Sequence, residues 1–186
     1  MAALSFLSRM VLGVEKALLI ALAAAITLLI LLNVVTRAVN YAIFWVDELT
    51  IYAMIWMVMI GASVCVRERR HIAVTLLIDA VPERVQRPML IAIDVVVAAF
   101  ALTLIWTSFI WYDPMGVIAA GFDLDAFAGA SFNYIYAEPT NTIGIAKVWV
   151  WAVMPLVALT ITLHACANLA ERLAGVEEPR AQEAAS

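Results

Sequence analysis

Hydrophobic positions in this chain come in long blocks rather than in alternation. The first block, Ala17 to Thr36, is 20 residues without a charge. The second, Leu49 to Val66, is 18 residues without a charge. The third, Met89 to Tyr112, is interrupted only by Asp94, and the fourth runs from about Val148 to Ala167. A helix needs about 20 apolar residues to cross a hydrocarbon core of ~30 Å. Backbone inside a bilayer must satisfy its own hydrogen bonds, and nothing here alternates as barrel strands do. The blocks therefore predict an all-α integral membrane protein with four transmembrane helices, about 17–36, 49–66, 89–112 and 148–167.

Composition strengthens that reading. Of the 186 residues, 66% are hydrophobic and 14% charged, whereas a soluble domain is nearer half apolar and a quarter charged. Arg9 and Lys16 before an apolar run imitate a signal peptide. A signal core is only about 7–15 residues long, however, so the first block is read as a retained span. Cys65 and Cys166 each lie near the end of a block and read as small apolar packing residues rather than a disulfide framework.

Charge then orients the helices. With four spans, Arg9, Lys16, Arg67, Arg69, Arg70, Arg84, Arg87, Arg172 and Arg180 fall on one side, and Arg37 and Lys147 on the other. Nine against two places both termini in the cytoplasm. Asp47 and Glu48 then open the second helix on the outside, and the basic cluster Arg67, Arg69, Arg70, His71 closes it inside. Both placements suit the helix dipole. No stretch is basic enough for nucleic acid.

The segments between the spans carry their own patterns. Residues 72–88 are too short and charged to span; Leu76, Leu77, Ile78 and Val81 alternate with charged positions. They read as an interfacial amphipathic arm with Pro82 opening a second short helix, or as a plain cytoplasmic loop. The outer loop 113–147 is acidic and aromatic, with Asp113, Asp123, Asp125 and Glu138 against Lys147. It either docks a partner or covers the bundle at the aqueous interface. Asp123 and Asp125 resemble the start of a calcium loop but lack its further ligands. Residues 1–170 form one membrane domain, and 171–186 read as a polar cytoplasmic tail.

Charges within reach of the membrane are the candidates for chemistry. Arg37 ends the first helix about ten residues before Asp47 and Glu48, so the hairpin would gather these groups into a structural ion pair; a gated pair or proton site is the alternative. Asp94 lies about 7–8 Å into the third helix, reaching back to the interface or pairing with Arg67, Arg69 or Arg70. Asn33 is expected to bond across the bundle. His71 and His164 fall at the same end, where two histidines could ligate a haem iron. There is no phosphate loop and no nucleophile set, so no enzyme is expected. Gly61 and Pro155 are too few interruptions for the broken helices of a solute carrier. An independent channel would have to conduct alone.

Several ordered motifs resemble the small permease subunit of tripartite ATP-independent periplasmic (TRAP) transporters. NVVTRAV at 33–39 looks like that family's first helix ending in arginine. FWVDEL at 44–49 is similar to its Trp-x-x-Glu opening, placing Trp45 and Glu48. IGASVCVRERRHIAVTLLIDAVP at 60–82 resembles its Gly-Ala, basic run and amphipathic segment ending in proline, which places Gly61 and Pro82. KVWVWAVMPL at 147–156 looks like the start of its last span, with Pro155. Thr75 stands where the pattern has aspartate, and the 113–146 loop is long for it.

The resemblance implies a small subunit in the bacterial inner membrane, without cofactor or metal, that scaffolds a large permease subunit holding the substrate and sodium sites. A periplasmic substrate-binding protein would deliver an organic acid. A haem- or quinone-binding anchor of a redox enzyme is the alternative function.

Overall fold

The computed structural model describes residues 2–69 and 81–175. Helix α1 is Ala2–Ala38, α2 Phe44–Glu68 and α3 Glu83–Tyr112; two short helices, α4 Pro114–Ala119 and α5 Leu124–Ser131, follow; α6 Lys147–Trp151 leads into α7 Val153–Leu173. No strand is assigned among the described residues; one isolated antiparallel bridge joins Pro139 and Ala146. Four helical stretches, 2–38, 44–68, 84–119 and 147–173, are long and apolar enough to cross a membrane. The all-α, four-span reading of the hydrophobic blocks matches this architecture.

The helices extend beyond the apolar blocks. α1 starts at Ala2 rather than near residue 17, and its 37 residues make about 55 Å of helix. The apolar count misses this extension because Ser8 and Glu15 lie buried inside it while Phe6, Met10 and Val14 face outward. Ser8 and Glu15 thus point inward and these apolar residues outward, opposite to a water-soluble helix, while the charged Arg9 and Lys16 stay exposed. Residues 83–88, expected in the interfacial arm, instead run straight into α3; Pro82 is that helix's N-cap residue, and Pro88 lies inside it. The expected arm residues 72–80, with Arg70 and His71, lie outside the described residues, as does the tail from 176.

α7 is the hub. It packs against α1, α2 and α3, and α1 also packs against α2. Its most apolar stretch is 44% buried, against 6–17% for the other three, because it presents two buried stripes. Val153, Val157, Ile161, His164 and Asn168 recur every three or four residues, while Ala158 and Ala165 lie on another side. Small residues let helix backbones approach closely, which in lipid replaces the missing hydrophobic drive between helices. Ile60 and Ala101 join Val153, Val157 and Ile161 in the core, with Leu19, Leu22, Met59 and Val97 around it. Gly61 faces α1: a Cβ there would meet Leu19 at 4.0 Å.

The break between α6 and α7 has a local cause. Pro155 has no N–H for the carbonyl four residues back, Trp151, and α6 ends at Trp151. Trp56 on α2 donates Nε1–H to the neighbouring Val150 carbonyl at 2.8 Å, which ties the interrupted helix to its neighbour.

Candidate functional site

Three polar constellations hold the described structure together, two at the α1–α2 turn end and one at the opposite end. At the α1–α2 turn, Arg37 pairs with Asp47 and donates Nε–H to Asn33 Oδ1 at 2.8 Å, while Asn33 also donates to Asp47. Asn33 bonds across the hairpin, as its place in an apolar helix anticipates. Glu48 does not join this group. Successive residues on a helix point about 100° apart, so Asp47 meets α1 and Glu48 turns to the outer loop.

Glu48 meets a turn whose backbone amides converge on it. Its carboxylate accepts N–H bonds from Asn141 (2.8 Å), Thr142 (2.6 Å) and Ile143 (3.0 Å), the Thr142 hydroxyl (2.5 Å) and the Tyr52 hydroxyl (2.8 Å). The loop tip is shaped for this. Thr140 N–H donates to the Ile145 carbonyl at 2.8 Å, and Gly144, at φ +80°, supplies the left-handed step that closes the reversal. Of the Arg37, Asp47 and Glu48 group expected from sequence spacing, Arg37 and Asp47 pair, whereas Glu48 leaves the group and anchors the outer loop.

That loop is an ordered cap. Asp113 accepts from Gly116 N–H at the start of α4, and Asp123 from Asp125 and Ala126 N–H at the start of α5. Asp123 is thus a helix cap. Asn133 Nδ2–H donates to the Trp111 carbonyl, the Tyr136 hydroxyl to the Tyr112 carbonyl, both at 2.6 Å, and Lys147 pairs with Glu138 at 2.5 Å. Edge-to-face contacts join Tyr136 to Tyr112 and to Phe127. Burial, and then the carboxylate of Asp113, raise the Tyr136 phenol pKa above its ordinary value. Trp45 stands beside this region, lining a shallow open hollow of about 450 Å³ with Tyr41, Phe44 and Thr142.

At the opposite end, polar side chains from all four spans interlock. Arg67 donates two hydrogen bonds to Glu171, at 2.8 and 2.9 Å, and one to Asn168 Oδ1 at 2.5 Å. Asn168 in turn donates to the Val66 carbonyl at 2.8 Å, and Lys16 pairs with Glu68. Asp94 accepts from Arg172 Nε–H at 2.6 Å. Among the described residues its ion-pair partner is therefore Arg172 rather than Arg67 or Arg69, because α3 packs on α7; Arg70 lies outside them. Fully buried His164 lies between two α1 side chains, with Ser8 Oγ 2.7 Å from Nδ1 and Glu15 Oε2 3.0 Å from Nε2.

Sequence spacing misses Ser8, Glu15, Asn168 and Glu171. Their signal is a polar residue at spacings of three, four or seven, at Ser5, Ser8 and Glu15 in α1 and at His164, Asn168 and Glu171 in α7. That is visible only once the two helices are known to face each other. Replacing Ser8 by alanine is expected to cost about 1–3 kcal/mol, since it leaves a buried ring nitrogen without its partner. Thermal unfolding of the purified protein measures it.

The arrangement fastens helices rather than opening a site. Both ring nitrogens of His164 are engaged, so holding a haem iron would require breaking one of these bonds. Among the described residues, no three histidine, cysteine or acidic side chains are grouped to hold a metal ion.

The family model for the DctQ component of tripartite ATP-independent periplasmic transporters matches residues 26–175. The chain belongs to that family. It is also 31% identical over 114 residues to the C4-dicarboxylate TRAP transporter small permease protein DctQ of Vibrio cholerae serotype O1. The match covers 61% of this chain and 49% of that protein, about half its length. The DctQ match covers the Arg37–Asp47 hairpin, the Glu48 anchor and the α2–α3–α7 part of the inner network; Ser8 and Glu15 precede it. As a DctQ component the chain is a multi-pass membrane part of a transporter and not an enzyme.

Proposed function

We propose that this chain is the immobile small subunit of a sodium-coupled TRAP transporter for an organic acid. It works as a scaffold for the large permease subunit and carries no substrate site of its own. One observation carries the reading: the polar groups inside the bundle are spent on one another. A substrate or ion site needs convergent polar groups facing a cavity, whereas Arg67, Asp94, His164, Asn168 and Glu171 face partners on neighbouring helices. Fixed helices give a moving transport domain something to move against.

The subunit sits in the bacterial inner membrane with both termini cytoplasmic, the orientation the lysine and arginine bias favours. The arm at the inner interface is limited to the segment before α3, the polar tail to the residues after α7, and 113–147 serves as a periplasmic loop. Partners are the large permease, membrane lipids and a periplasmic substrate-binding protein that meets the outer cap. The cap offers that protein exposed Phe122, Phe132 and Tyr134.

A mild-detergent pull-down from native membranes, with mass spectrometry and an absorption spectrum of the same sample, tests the assignment. Recovery of a large multi-span permease without a haem band is expected; a haem band with soluble redox subunits would overturn it. Arg37→Ala is expected to change the subunit's own stability by under about 1 kcal/mol, since the Arg37–Asp47 pair is largely exposed. The same variant should weaken permease recovery. Full recovery would mean that the hairpin ion pair takes no part in assembly.

A further inference from the structure

One guanidinium at the inner-network end has no close carboxylate of its own among the described residues. Arg67 takes Glu171, and Arg172 takes Asp94. Arg69 shares that end with both pairs. Arg69 donates Nη2–H to the Asn168 carbonyl at 2.9 Å and reaches Glu171, already used by Arg67, only at 3.9 Å. Its Nε–H is buried without a hydrogen-bond partner. Such an orphan is costly, the more so on a charged group. An arginine cannot escape by releasing its proton, since guanidinium stays charged in proteins. Burial, and then the charge on Arg172, lower its pKa from the ordinary value, and the carboxylates of Asp94 and Glu171 oppose that shift only in part.

We infer that Arg69 anchors the phosphate of an anionic membrane phospholipid at this end of the bundle. Three observations select a lipid. Arg69 is the left-handed C-cap residue of α2, at the end of a span and hence near the headgroup layer. Its side chain is 29% exposed, so an anion can reach it. Exposed apolar Val85 and Leu173 stand at the same end of α3 and α7, and acyl chains would cover them where a soluble anion would not. Exposed Arg9, Arg84 and Arg87 belong to the same end of α1 and α3, and a leaflet rich in anions suits several cations at once. Guanidinium matches phosphate oxygens with paired donors.

The test uses the whole chain in mild detergent, stripped of lipid and titrated with phosphatidylglycerol. Native mass spectrometry counts bound lipid while the melting midpoint is followed. The protein should retain phosphatidylglycerol, with a raised midpoint. Arg69→Gln should bind it about tenfold more weakly, losing one charge-assisted contact, while Arg84→Gln should keep most of the binding. Arg69→Lys, which keeps the charge but not the paired donors, should fall between; it also carries the test if Arg69→Gln does not fold. Inorganic phosphate should leave the midpoint unchanged. The inference fails if phosphate reproduces the lipid shift, which would make this a free-anion site. It fails equally if Arg69→Gln binds lipid like the parent. It fails too if the parent ignores phosphatidylglycerol, which would leave Arg69 to a carboxylate of another subunit.

Discussion

Arg67→Ala is expected to destabilise the protein by about 3–5 kcal/mol, the usual cost of breaking a buried ion pair from one side. Arg67 is only 4% exposed and holds Glu171 with two hydrogen bonds and Asn168 with a third. Removing it strands a carboxylate on the central helix, in surroundings with little water to replace the lost donors. The effect should reach past the α2–α7 contact, since Glu171 also bonds Ser5 of α1. Replacing both partners, Arg67→Met with Glu171→Met, should recover part of the loss, because neither member of the pair then stays buried without the other, although Arg69 loses its nearest carboxylate. Unfolding in mild detergent distinguishes the cases. A single-variant loss under about 1 kcal/mol would mean that water screens the pair as at an open surface. A double variant no better than the single one would mean that packing, not charge, is what Arg67 contributes.

Glu48→Ala is expected to release the tip of the outer cap while leaving the four-helix core folded. Three consecutive amides, Asn141 to Ile143, converge on one carboxylate. Glutamine in its place offers one acceptor oxygen and turns an NH2 group toward donors, so Glu48→Gln should release the tip as well. Amide exchange across residues 139–146 should rise by about tenfold or more, the behaviour of a segment that opens locally. Exchange in α2 and α7 should change little. Thr142→Val, which removes only the hydroxyl contact, should have a much smaller effect. Parent-like exchange at 139–146 in Glu48→Ala would show that the Pro139–Ala146 bridge and the Lys147–Glu138 pair hold the tip by themselves. If the cap is where a periplasmic partner docks, Glu48→Ala should also lower its capture by the assembled transporter.

What could be read directly from the chain follows from local physics. Four long apolar blocks of membrane-crossing length, one of them interrupted by Asp94, admit only helices. Asn33, Arg37, Asp47 and Glu48 were legible as groups that hold the hairpin and bundle, because polar groups in or beside such blocks are costly and need partners. The pairing was not. Arg37 and Glu48 are as close in sequence as Arg37 and Asp47, and only the rotation of α2 about its axis decides that Asp47 turns to α1 and Glu48 to the cap. Asp94 likewise had three plausible arginines nearby and met a fourth, Arg172, once α3 packed on α7. The length of α1 was hidden because Ser8 and Glu15 lie outside the uncharged block, and their place in the helix is explained only by His164 of α7, which stands between them. Hydrophobic patterning thus set the element types, the number of spans and their alternating direction, because each depends on neighbours along the chain. Which helix is the hub, which carboxylate meets which base and which arginine among the described residues has no close carboxylate of its own were decided by tertiary packing. Those choices depend on helix rotation and on contacts between residues far apart in sequence, and hydropathy carries no record of either.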